Sequence, residues 1–161
     1  MCVILSTTFA FSQQLVVEIE GEGTFNTAML SIDEAGDDFP SDIEAENPFY
    51  VSVFHADSWD KKVNPSDRWN IKIYKSDSNW DNELQLETKR TGNGYNSNGG
   101  GNPNIHDGEI YQTVTNTPVY FFRGQSEITD IPVLLKLSGF SLSMGAETYD
   151  TNIIFTVYDS W

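Results

Sequence analysis

The chain has 161 residues, a single cysteine and a formal net charge of -15, with a pI near 4.2. That charge argues against nucleic acid and anionic membrane surfaces as partners, and the lone Cys2 excludes an intrachain disulfide, leaving stability to burial and strand pairing. The length fits one domain with a full hydrophobic core.

Residues 1–12 (MCVILSTTFAFS) are an apolar run that ends in the small residues Ala10 and Ser12 ahead of Gln13, the pattern of a secretory leader. The expected organisation is therefore a signal peptide remnant over 1–12 and one domain over 13–161, secreted or held at the cell surface. The basic start usual for a leader is missing, since the first Lys or Arg is Lys61. The same run also reads as an ordinary buried first strand. Nothing later is long and apolar enough to span a bilayer as a helix.

Period-two alternation then recurs along the chain. The expected inward positions are Leu15, Val17 and Ile19, then Leu30 and Ile32, and after an acidic segment Phe49, Val51 and Val53. Trp69, Ile71 and Ile73 follow, with Trp69 read as a core residue between sheets. Next come Leu84 and Leu86, Ile110 and Val114, Val119 and Phe121, and then Ile131, Val133, Leu135 and Leu137. Tyr149, Thr151, Ile153, Phe155 and Val157 close the series. No window holds a helical period, and turn clusters such as Asn64-Pro65-Ser66-Asp67 separate the runs. The fold class is all-β, an antiparallel two-sheet immunoglobulin-like sandwich with one face of each sheet in water.

Two segments break the rhythm and read as surface loops: acidic Asp33 to Asn47, and Gly/Asn-rich Arg90 to Asp107. In the first, Asp33, Glu34, Asp37 and Asp38 surround Gly36, whose tight turn would let the carboxylates meet a calcium ion. Calcium apart, no cofactor is expected. Asp77 to Asp81 imitates the opening of an EF-hand, but Asn82 and Thr88 stand where the glycine and the bidentate glutamate belong, so it reads as a turn.

Catalytic chemistry is harder to find. The only imidazoles are His55 and His106, no serine occupies a nucleophile elbow, and two distant histidines do not make a zinc set. The chain is therefore read as non-enzymatic. Trp59 and Trp80 sit in similar phrases, HADSWD and SDSNWD, each after a strand. Beside carboxylates and amides they suit sugar stacking, as does Tyr95, although each indole would equally fold back over the sandwich edge.

The phrase Tyr149-Asp150-Thr151-Asn152-Ile153-Ile154-Phe155-Thr156-Val157-Tyr158 resembles the closing strand of secreted pilin-like and spore-coat-U-like sandwich domains. Ile131-Pro132-Val133 through Leu137-Ser138-Gly139-Phe140-Ser141 is similar to segments of surface proteins of Bacteroidetes-type bacteria. The resemblance implies adhesion or assembly of an extracellular structure, some members donating a strand to a neighbour. Leu15, Val17 and Ile19 would then fill a neighbour's groove, although the segment also alternates well enough to pair in its own sheet. The chain lacks the cysteine pair of fimbrial subunits. The expected partners are thus a second copy of the chain or a surface glycan, the glycan in the alternative reading as a carbohydrate-binding module.

Overall fold

The computed structural model describes residues 2–7, 15–25, 41–55, 67–97, 101–141, 144 and 148–159. Its strands, in chain order, are β1 (Cys2–Thr7), β2 (Leu15–Glu20), β3 (Asp42–Glu44), β4 (Phe49–His55), β5 (Arg68–Asn79) and β6 (Gln85–Arg90). They continue with β7 (Tyr95–Asn96), β8 (Asn104–His106), β9 (Gln112–Thr113), β10 (Val119–Gln125), β11 (Ile128–Ser138) and β12 (Asp150–Asp159). The five-stranded sheet runs β1, β12, β5, β10, β8. The seven-stranded sheet runs β2, β4, β11, β6, β9, and β3 and β7 also pair with β11.

The two sheets face each other as an all-β sandwich, because the long strands each offer one apolar face. On β5, Trp69, Ile71 and Ile73 turn inward while Asn70, Lys72 and Tyr74 turn outward. On β11, Ile131, Val133, Leu135 and Leu137 are buried, and on β12, Thr151, Ile153, Phe155 and Val157. Phe49 of the seven-stranded sheet meets Phe155 of the other edge-on at 5.7 Å, and Trp69 meets Phe122 at 6.1 Å. Each such pair adds about 1 kcal/mol to what area burial provides.

Several details depart from simple alternation. The β10–β5 register slips between Tyr120 and Phe122, and this bulge turns both Phe121 and Phe122 into the core. Ile110, expected inward, is 83% exposed because it precedes β9 and belongs to no ladder. The acidic segment is not all loop, since Ile43 is buried as β3 pairs with the far end of β11. Tyr95–Asn96 and Asn104–His106 of the Gly/Asn segment likewise form β7 and β8. One pairing is parallel rather than antiparallel: β1, from the stretch read as a leader, lies along β12 with Val3 opposite Thr151.

The stretch Asp77 to Asn79, read as a turn, continues β5 along β12. Buried Lys75 ends the apolar row and places its ammonium 2.5 Å from Asp77, which also accepts from Asn116 Nδ2 and Thr151 Oγ1, both at 2.8 Å. Burial pushes the Asp77 carboxyl up, but these donors outweigh it and hold its pKa below the ordinary 3.8. A carboxylate with a depressed folded pKa stabilises above its unfolded value and loses that contribution as pH falls through the folded one. Asp77→Asn should therefore flatten the decline of the thermal midpoint below about pH 4, where the unfolded carboxyl begins to protonate. A thermal-unfolding series from pH 6 to pH 2.5 measures this; an unchanged acid limb would remove the role of Asp77.

Candidate functional site

Three triplets with an apolar or glycine centre meet on the outer face of the five-stranded sheet: Arg68-Trp69-Asn70 on β5, Arg123-Gly124-Gln125 on β10 and Asn104-Ile105-His106 as β8. The middle residue of each is buried, so its neighbours face solvent. Register places Arg123 between Asn70 and His106, and Gln125 between Arg68 and Asn104. Tyr158 of β12 extends the first row beside Asn70, and its ring lies 4.6 Å under the Lys72 ammonium.

A cavity of about 270 Å³ opens among these strands, lined by Arg68, Trp69, Asn104, His106, Arg123, Gly124 and Gln125. Its polar groups are partly preset. Asn104 Nδ2 donates to Gln125 Oε1 at 2.8 Å, which leaves Asn104 Oδ1 to accept from His106 Nε2 at 2.7 Å. Arg123 Nε lies 3.5 Å from Asp107 Oδ2, which also accepts the Tyr120 hydroxyl. Burial, and then this hydrogen bond, push the Tyr120 phenol well above its ordinary range. The Arg68 side chain has no ion-pair or hydrogen-bond partner among the described residues.

Arg90 positions this rim. Its side chain is 2% exposed, its Nε donates to Asp107 O at 3.0 Å, and its Nη1 donates to Gly92 O at 2.8 Å and to Asn93 Oδ1. Its Nη2 reaches Glu109 Oε1 at 3.0 Å. One guanidinium thus ties the two ends of the Gly/Asn segment together and fixes where β8 ends. A second cavity, lined by Lys89, Arg90, Thr91, Gly92, Asn93 and Glu109, lies against the same group, four of whose five donors are already engaged.

The cations of the seven-stranded sheet are compensated locally. Tyr111 lies under Lys89 and Lys136 at 4.2 and 4.4 Å and donates to Glu44 Oε1 at 2.7 Å, while Lys136 pairs with Glu87 at 2.7 Å. The Tyr111 hydrogen bond, followed by Lys89, holds the Glu44 carboxyl below its ordinary value despite desolvation.

The residues singled out from sequence are scattered. Trp80 is half-buried against the core, donates its indole N–H to Leu84 O at 3.0 Å and has the Lys75 ammonium 4.8 Å over its ring. Tyr95, on β7, is 69% exposed. Leu15 and Val17 are buried and Ile19 half-buried, as β2 pairs with β4 of its own sheet. Trp59, Asp33, Glu34, Asp37 and Asp38 lie outside the described residues, as do Leu30 and Ile32. Among the described residues no group of three or more His, Cys, Asp or Glu is placed to hold a metal, and no helix is long and apolar enough to cross a membrane.

Sequence reasoning missed the Arg68, Arg123 and His106 cluster. The signal was there in the three polar–buried–polar triplets, but sequence gave no register by which to bring them together. Comparison with known proteins returns no family model, no curated relative and no solved structure that matches the chain.

Proposed function

We propose that the chain is an exported, non-enzymatic β-sandwich that acts in adhesion, holding an extracellular polymer on the outer face of its five-stranded sheet. The observation that carries this reading is that face itself: arginines, amides and an imidazole around a cavity large enough for a single sugar ring, with Tyr158 further along the same face beside Asn70. Amides and imidazole bond hydroxyls, and Tyr158 offers a ring face. The test is retention of the protein beginning at Gln13 on a panel of immobilised polysaccharides. Retention on at least one, weakened by Tyr158→Ala, is expected; passage through every column would end the adhesion reading. The loop version, with Trp59, Trp80 and Tyr95 as the stacking rings, predicts instead that Tyr95→Ala carries the loss.

A second reading, assembly of an extracellular structure, is favoured by the pairing of β1 with β12. If residues 1–12 are removed on export, the β12 edge is left with unpaired backbone groups beside an apolar row, a template for a strand from a second copy. Light scattering across a concentration series should then give larger species for the protein beginning at Gln13 than for the full chain. Equal, monomeric masses for both would remove the assembly reading.

A further inference from the structure

We infer that the Arg68, Arg123 and His106 cluster is an anion site, and that the polymer it takes is an acidic polysaccharide whose sugar rings carry carboxylate or sulfate groups. The inference deepens the adhesion reading and rests on it. Its basis is where the positive charge lies. Lys75, Lys89, Arg90 and Lys136 each have a carboxylate within 4 Å. The remaining described cations, Arg68, Lys72 and Arg123, all stand on the outer face of the five-stranded sheet, and among the described residues Arg123 alone of them has a carboxylate, the half-exposed Asp107.

In a chain of net charge -15 this gathers three cations on one face, and local charge decides which ligand a cavity attracts. Arg68 and Arg123 are diagonal neighbours across β5 and β10, a separation that long side chains span. Asp107 engages only Nε of Arg123, so both terminal amines remain for a two-pronged bond to a carboxylate or sulfate. The ligand is a sugar acid rather than a bare ion because the rest of the lining is built for hydroxyls: the hydrogen-bonded row of Gln125, Asn104 and His106 lies beside the guanidinium groups.

Calorimetric titration of the full chain with oligogalacturonate, dextran sulfate, neutral dextran and poly-glutamate tests this. Binding of at least one acidic saccharide is expected, weakening as salt rises from 50 to about 300 mM as screening requires. Arg68→Gln and Arg123→Gln should each lower that affinity roughly tenfold or more, the usual worth of a charge-assisted bond. Lys89→Gln, on the opposite sheet, should leave it unchanged. Asp107→Asn should raise it, by releasing Arg123 from its competitor while keeping a residue that tolerates the local φ of 69°. The two acidic saccharides separate carboxylate from sulfate recognition. Poly-glutamate bound as tightly as either would overturn the saccharide assignment. Binding of neutral dextran that is indifferent to both arginines would overturn the anion site yet leave adhesion standing, whereas binding of nothing here or on the polysaccharide columns would remove both.

Discussion

Gly124→Ala is expected to cost about 3 kcal/mol and to lower the thermal midpoint by roughly 6–12 °C, the upper range for forcing a methyl into a filled core. A Cβ at this position would stand 2.3 Å from Cζ2 and 2.4 Å from Cη2 of Trp69. The indole has nowhere to go: its Nε1 donates to Ser126 O at 2.7 Å, and its ring abuts Phe122. Gly124 and Trp69 are register partners on β10 and β5, so the ring lies across the glycine and occupies the space a side chain would take. Thermal unfolding followed by tryptophan fluorescence reads the effect. A midpoint within 1–2 °C of the parent, about the scale of a neutral surface change, would contradict the placement of the indole.

Arg90→Ala should be at least as damaging. It strands the carbonyls of Gly92 and Asp107 and the Asn93 amide oxygen in a part-buried setting, each unsatisfied acceptor costing about 1–3 kcal/mol. A loss of at least about 3 kcal/mol in urea unfolding is the expected result. Arg90→Lys should rescue little, because a single ammonium cannot reach acceptors spread around a planar fork. Polymer binding should fall too, since Arg90 holds Asp107 at the end of β8, next to His106. Full stability with Lys would show that charge alone, rather than the fork, holds the segment.

The two variants also mark what could be read from sequence. Trp69, Ile71 and Ile73 announce a buried strand face because alternation is local, and the structure buries all three completely. The same logic fails at Phe121 and Phe122, where a bulge defeats a period of two, and at Ile110, which is apolar but outside every ladder. The strands within the Gly/Asn segment were hidden for a different reason. β8 holds a single buried side chain, Ile105, too short a pattern to register, and its position depends on a guanidinium 15 residues earlier in the chain, at Arg90. Trp80 shows the converse: its polar phrase allowed both an exposed platform and an indole folded back over the sandwich edge, and the indole covers the buried Lys75 at the end of the sandwich. The arginine cluster is built from positions more than 50 residues apart, Arg68 and Arg123, so pairing register alone brings it together.

Backbone amide mapping by NMR, with the full chain titrated by the best-retained polysaccharide fragment, locates the polymer on the fold. Shifts should concentrate on Arg68 to Asn70, Asn104 to His106 and Arg123 to Gln125. Shifts centred instead on Trp80 or Tyr95, with those three triplets silent, would contradict that placement.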